Sequence, residues 1–465
     1  MKLAPYPEYK DSGSPAAPNI PVQWAVHRCR YLFREVDERS KDGQEIHLSM
    51  SQKYGLIDSS KIDKWRLQSE SYAGGKVCQN GDLVLNRLKA HLGVFAHAKQ
   101  SGVVSPDYTV LRPVTDDNPR FFEILFKSPQ FITEFTKSTK GIVKGFWRLY
   151  TDDFYSIRAV VPPQEEQQQI LKFIDVLTAR ANKFIRNKRR FIELLKEQKQ
   201  NVINQAVTRG LDPKVKFKPS GVEWIGDIPE HWDARRLKTI AKVVLGKMLK
   251  TSPSKDDQLK PYLRSANIQW FEANLSDVAS MWFSPSEMEQ YRISKNDILV
   301  SEGGEVGRAC IWQDELEECY IQNSVHKVTA GAEVLPLFLL YQFSAFGSKG
   351  AFKAVVNRVS IAHLTREKLV AVFFCKPPIE EQKTILAHIQ AKTTEIDQAI
   401  IRAEREIELM REYRTRLISD VVTGQVDVRG IEVPEIAEEE LLTLDEDTGD
   451  ADDVIDDEGD MDETD

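Results

Sequence analysis

VPPQEEQQQILKFIDVLTARANKFIRNKRRFIELLKEQKQNVINQAV (Val161–Val207) and KPPIEEQKTILAHIQAKTTEIDQAIIRAEREIELMREYRTRLISDVV (Lys376–Val422) align without a gap at an offset of 215 residues. Pro162, Pro163, Glu165, Glu166 and Gln167 fall on Pro377, Pro378, Glu380, Glu381 and Gln382. Each stretch opens with two prolines, which a helix interior excludes, and then acids, which suit a helix's first turn. Apolar residues follow in steps of three and four: Ile170, Ile174, Leu177, Ala181, Phe184, Phe191, Leu195 and Val202. The second copy gives Ile385, Ile389, Ile396, Ile400, Ile407, Met410, Leu417 and Val421. This is a coiled-coil seam with polar outer faces. About 43 residues at ~1.5 Å each makes roughly 65 Å of helix. A lone amphipathic helix of that length needs a partner, and each copy is the matched partner of the other.

The repeat extends outward. Leu48 falls on Leu263 and Asp82 on Asp297 at the same offset, and Trp24 and Ser12-Gly13 match Trp232 and Ser220-Gly221 at an offset of 208. The expected class is mixed α+β: two globular domains, residues 1–160 and 213–375, separated by long helices at 161–212 and 376–430. GDLVLN and VAVFFC read as strands, and PRFFEILFKSPQFITEFTK and PLFLLYQFSAFG as helices. Residues 431–465 read as a disordered acidic tail.

Net charge hides an asymmetry. The chain carries -8, but Glu435–Asp465 holds 17 acids and no Lys or Arg. Over residues 1–434 the remaining 54 acids face 63 bases, a net +9. A basic body suits a nucleic-acid binder. Cys29, Cys78, Cys310, Cys319 and Cys375 lack CxxC or zinc-finger spacing and read as reduced thiols. With no apolar leader in MKLAPYPEYKDSG and no membrane-length apolar run, the expected compartment is the cytoplasm.

The doubled PP-x-EEQ helix starts, AVTRG (Ala206–Gly210) and VVTGQ (Val421–Gln425), together with YKDSG, KPSGVEWIGDIPEHW, YLRSANIQ, GDLVLNRLKAHLG and VVSPDYTVLRP, resemble the specificity subunit family of Type I restriction–modification enzymes. The resemblance covers nearly all of residues 1–430, in order. NDILVSEGGEVG (Asn296–Gly307) and QNSVHKV (Gln322–Val328) depart from the first copy's pattern, as expected if the two units read different bases. The resemblance implies two DNA target recognition domains and an antiparallel coiled coil with a rough two-fold internal axis. It also implies two methyltransferase (modification) subunits and restriction/motor subunits as partners, with double-stranded DNA as the ligand. S-adenosylmethionine, ATP and Mg are then used by the complex and none is bound by this chain. Its function would be to direct adenine methylation and ATP-dependent cleavage to a bipartite, asymmetric site, with the coiled coil as spacer.

Base reading calls for forked or amide side chains on exposed loops. Candidates are Gln52, Lys53, Asn86, Arg87, Lys89 and Arg148 in the first unit, and Arg264, Asn267, Gln269, Arg308, His326 and Arg358 in the second. Lys137, Lys140 and Lys144 suit phosphates, which position without specifying. The competing reading of each is a solvated charge or a structural hydrogen bond. The basic cluster Arg186, Lys188, Arg189 and Arg190 fits phosphates, a subunit or simply a solvated helix face.

Catalytic signatures are missing from the sequence. It has no GxxxxGK[ST] and no NPPY or DPPY, and the nuclease-like ExK triplets Glu197-Gln198-Lys199 and Glu381-Gln382-Lys383 lie on the long helices, where they read as ordinary charge pairs. His91 and His97 have no neighbouring ligand set, so no metal site is expected. Gly303-Gly304 and Gly307 read as a turn rather than a phosphate loop. The chain is expected to catalyse nothing alone. Two alternatives stand beside this: a restriction-enzyme fragment with a cryptic nuclease, and a DNA-binding scaffold or regulator.

Overall fold

A computed structural model describes residues 3–51, 55–61, 72–141, 147–352 and 363–434. The chain divides into two units, Met1–Arg189 with Glu404–Asp465, and Arg190–Ala403. The expected plan set the helices apart as segments of their own. Instead, the first long helix (Gln164–Arg209) and the second (Ile379–Val422) each give one half to either unit. Each unit thus combines the start of one helix with the end of the other.

Both units contain the same four-stranded antiparallel sheet. In the first unit its order is Phe33–Val36, Tyr108–Pro113, Leu83–Asn86, Phe95–His97. In the second it is Ala241–Leu245, Val325–Ala330, Ile298–Ser301, Ala309–Ile311. A hairpin opens each unit, Tyr9–Asp11 with Asn19–Pro21 and Phe217–Pro219 with Asp227–Pro229. A strand just before each long helix pairs with one near the unit's entrance, Arg158–Val161 with Ala25–Arg28 and Phe373–Lys376 with Asp233–Arg236. The run VAVFFC (Val370–Cys375), expected as a strand, is one only from Phe373. Residues Arg366–Ala371 form a helix that ends at Val372, in extended conformation. The expected helix over 119–137 is two, Pro119–Phe126 and Pro129–Ser138, because Pro129 cannot continue the first.

The PP-x-EEQ motif docks each helix on its unit. Gln167 Nε2 donates to the Pro162 carbonyl at 2.9 Å, while its Oε1 accepts from the Asn118 N–H, also at 2.9 Å, at the start of helix Pro119–Phe126. Gln382 repeats this, donating to Pro377 at 2.9 Å and accepting from the Leu335 N–H at 2.8 Å, before helix Pro336–Ser348. Both glutamines are buried, where an unmade hydrogen bond is expensive. Glu166 accepts from the buried Trp24 indole at 2.8 Å and from the Tyr6 hydroxyl at 2.5 Å, and Glu381 bonds His231 at 2.8 Å.

The helix ends are equally matched. Gly424, at positive φ, lies against Pro21 and Trp24, and Gly210, also at positive φ, against Trp232 and Glu381. A Cβ at position 424 would fall 2.5 Å from Pro21, so glycine is required there.

Within the first unit the helix halves run antiparallel, with Asn182 bonded to Arg414 at 2.8 Å and Lys188 to Glu406 at 2.5 Å. In the second unit Lys199 bonds Asp397 at 2.7 Å. Ile170, Ile174, Leu195, Ile385, Ile389, Ile396, Ile407 and Leu417 are buried as expected, and Leu177 and Phe184 partly so. Phe191 was expected in the seam but is 44% exposed; Ile185 and Ile192 are buried instead. Each fully buried side chain of this size contributes about 1.5–3 kcal/mol.

After Val422 the chain crosses the first unit's core. Val428 is fully buried, Asp427 N–H donates to the Ala4 carbonyl at 2.9 Å, and Ile431 and Val433 pack on that core. The expected tail from 431 therefore begins with two residues, Ile431 and Val433, packed on the core. Among the described residues, no helix is long and apolar enough to cross a membrane, and all five cysteines are free and buried.

Candidate nucleic-acid interface

In the second unit, strands Ala241–Leu245 and Ile298–Ser301 end, and Val325–Ala330 begins, at one edge of the sheet, because the ladder between them is antiparallel. Three loops meet there. Asn323 N–H donates to the Lys247 carbonyl at 2.9 Å, and Glu302 N–H to the Ser324 carbonyl at 2.9 Å. The segment Arg264–Gln269, which follows strand Gln258–Leu263, joins them: Ser265 N–H donates to Ser324 Oγ at 3.0 Å. The glycine-rich stretch after Ser301 is a turn, with Gly304 and Gly307 at positive φ. A Cβ at Gly307 would fall 2.3 Å from the Phe352 ring.

Arg264 and Arg308 converge on this edge. Arg308 Nη2 donates to the Ser265 carbonyl at 3.2 Å, and Nη1 lies 3.7 Å from Glu305. Arg264 is paired with Asp277. Both Nε atoms are buried with no partner among the described residues, and each guanidinium carries five N–H donors in all. Gln269 Nε2 reaches the Ala266 carbonyl at 3.2 Å. Two candidates are placed otherwise than expected. Asn267 is buried, its amide held by the carbonyls of Asn274 and Asp277 at 2.9 and 3.0 Å. His326 is fully buried and bonds the Leu364 carbonyl at 2.7 Å, and burial holds its pKa below the usual histidine range. It lies inside the sheet and cannot present an edge to a base; this corrects the sequence reading.

The first unit gathers loops at the equivalent edge. Asn86 ends strand Leu83–Asn86 and is buried. Its Oδ1 accepts from the N–H groups of Leu88 and Lys89 at 3.0 and 3.2 Å, so it shapes the turn rather than pointing outward. Arg87 Nε donates to the Asp107 carbonyl at 2.7 Å, and its guanidinium lies 3.6 Å from the Asp107 carboxylate. Leu149 N–H donates to the Arg87 carbonyl at 3.0 Å, bringing Trp147 and Arg148 to the same place. Trp147 is exposed and meets His91 edge-on. Lys89 lies there too, and burial lowers its pKa. Lys140 pairs with Asp153 at 2.6 Å, and Lys137 is exposed on the last turn of its helix. Gln52, Lys53, Lys144 and Arg358 lie outside the described residues.

Sequence reasoning missed the carboxylates that hold these arginines, namely Asp107, Asp277 and Glu305. It also missed Trp270, whose indole donates to Glu305 at 2.7 Å, and the Ser265–Ser324 pair. The only available signal was their place on the loops of motifs already singled out. Among the described residues, no group of three or more His, Cys, Asp or Glu side chains could hold a metal ion. Both edges offer guanidinium donors on short loops that follow or precede the sheet strands, joined by the Lys89 ammonium in the first unit and the Gln269 amide in the second. That chemistry suits guanine, adenine or phosphate oxygens.

The chain matches the model of the Type I restriction modification DNA specificity domain twice, over residues 25–194 and 229–407. It is 24% identical over 324 residues to the Type I restriction enzyme MjaVIII specificity subunit of Methanocaldococcus jannaschii, spanning 66% of this chain and 71% of that one. It is 24% identical over 287 residues to the putative type I restriction enzyme MjaX specificity subunit of the same organism, spanning 59% and 60%. Its fold is similar to a chain from a structure on complex assembly and conformational transition of the type I R-M system (TM-score 0.61, 16% identity, 87% and 98% covered). It is also similar to the HsdS subunit from Thermoanaerobacter tengcongensis (TM-score 0.52, 16% identity, 87% and 98% covered).

Proposed function

The chain belongs to the family of Type I restriction–modification DNA specificity proteins, and we propose that each of its two units reads one half of a bipartite, asymmetric DNA site. Its role is that of the DNA sequence-recognition subunit, a non-catalytic member of a restriction–modification complex. The observation that carries the bipartite reading is the doubled edge. The same end of the same sheet, in each unit, gathers polar loops, and those loops differ in sequence between the copies. In this reading Arg87, Lys89 and Arg148 serve one half-site, and Arg264, Gln269 and Arg308 the other. Asp107, Asp277 and Glu305 hold the arginines in the free protein. DNA would exchange those carboxylates for phosphate oxygens, like for like in charge, or for the neutral acceptors of guanine, which match the guanidinium fork in geometry.

Double-stranded DNA, two methyltransferase subunits and restriction/motor subunits complete the proposed assembly, in the cytoplasm. S-adenosylmethionine, ATP and Mg would enter with those subunits, and a target adenine in each half-site would be flipped for methylation. The test is a map of adenine methylation in cells carrying this chain with its partners. The expected result is two short motifs separated by a constant gap. Arg308→Ala should relax one half only and Arg87→Ala the other, each by about 1–3 kcal/mol of discrimination. A continuous motif, or both variants blurring the same half, would overturn the reading.

A further inference from the structure

The last described residues, Val433 and Pro434, line a groove of about 230 Å³ in the first unit, together with Phe173, Leu177, Arg180 and Tyr413. Tyr413 is 51% exposed although it faces apolar neighbours. We infer that the acidic segment Glu435–Asp465 docks back on the first unit. Its leading apolar residues, Ile436, Leu441 and Leu442, enter this groove, and its carboxylates lie over the basic stretch of the first long helix.

Three observations point to this occupant. The first is continuity: Ile436 stands two residues beyond Pro434, which itself lines the groove, a reach of about 7 Å of chain. The second is charge. From Val176 to Arg189 the first long helix carries Arg180, Lys183, Arg186, Lys188 and Arg189 and no acid, whereas Glu435–Asp465 carries 17 acids and no base. Arg180 belongs to both the groove and this stretch, and Lys188 already meets Glu406, so carboxylates are at home there. The third is composition. The acidic segment is led by EIAEEELLTL, in which apolar and acidic residues alternate in blocks that match an apolar slot bordered by cations. A segment tethered at the rim acts at millimolar effective concentration, so even a weak contact is populated.

Docked this way, the segment competes with DNA phosphates for the basic helix face. It lowers sequence-independent binding, which rests on phosphate contacts, and leaves base reading to the sheet edges.

The test uses the full chain. Carbodiimide coupling joins carboxylates to lysines at zero length. The expected links run from Glu438–Glu440 to Lys172 and Lys183, in preference to the lysines of Arg190–Ala403. A triple variant, Ile436→Ser, Leu441→Ser and Leu442→Ser, preserves every charge and leaves residues 1–434 unaltered. It should lose these links and bind a random-sequence duplex several-fold more tightly at low salt. Links scattered over both units overturn the inference, as does a variant whose links and duplex affinity equal those of the unaltered chain. The second outcome would mean that the segment acts by diffuse charge, or that the groove serves another partner. The coupling arm needs no DNA, so its failure is separable from a failure of the recognition reading.

Discussion

His47 sits half-buried with its ring stacked 3.6 Å from that of Tyr72 and its Nδ1 against Ser59 Oγ. Burial takes its pKa down to about 4, with Asp58 opposing. Between that value and the ordinary 6.5 the unfolded chain binds the proton more readily, so stability rises with pH across this window. The native contribution is complete above about 6.5 and is lost as pH falls toward 4. The urea midpoint is expected to drop on acidification through this range, and His47→Gln should flatten part of the drop. An unchanged slope in the variant would contradict the assignment. Asp82 and Asp297 show residue-level symmetry without identical partners. Asp82 accepts from Arg112 at 2.9 Å and from the Gln79 N–H at 2.8 Å; Asp297 accepts from Thr329 at 2.5 Å and from the Ser294 N–H at 2.9 Å. Each holds the turn that launches a central strand. The repeat marked both positions, but it could not tell that their work is structural.

At the scale of elements, the PP-x-EEQ starts are docking joints. Gln382 closes three hydrogen bonds at once, to the carbonyls of Pro377 and Glu333 and from the Leu335 N–H. Gln382→Leu leaves those buried backbone groups unpaired and should cost about 1–3 kcal/mol in urea unfolding. DNA discrimination should persist, because the sheet edges are untouched. A neutral substitution would mean that the joint is dispensable. The seam shows where periodicity stops short. Steps of three and four permitted either Phe191 or Ile192, and the packing chose Ile192 and left Phe191 exposed. Neighbouring apolar residues on one helix are separated by about 100°, and only the facing surface settles which of them is covered.

For the molecule as a whole, the two long helices have 46 and 44 residues, about 69 and 66 Å at ~1.5 Å per residue. We propose that their length sets the unread gap of the DNA site. Removing Ile185–Phe191 and Ala403–Leu409 takes one heptad from each helix, about 10 Å, or roughly three base pairs at ~3.4 Å. Methylation mapping should then report a gap shortened by about that much, or no binding. The same gap at full affinity would rule out a ruler.

The residues alone determined the doubled architecture. A 47-residue gapless repeat with prolines at its head and a heptad seam leaves few other ways to bury its apolar stripe. They also determined the charge asymmetry, because both are properties of order and composition. Tertiary structure decided which halves belong together. Each unit borrows the end of the other unit's helix, since Gly424 and Trp24 lie 400 residues apart in sequence and meet only by packing. It decided, too, that His326 is a core residue while Arg308 stands at the rim. Both occupy loop-flanked motifs, and exposure depends on which strand covers which, a fact that no local spacing carries.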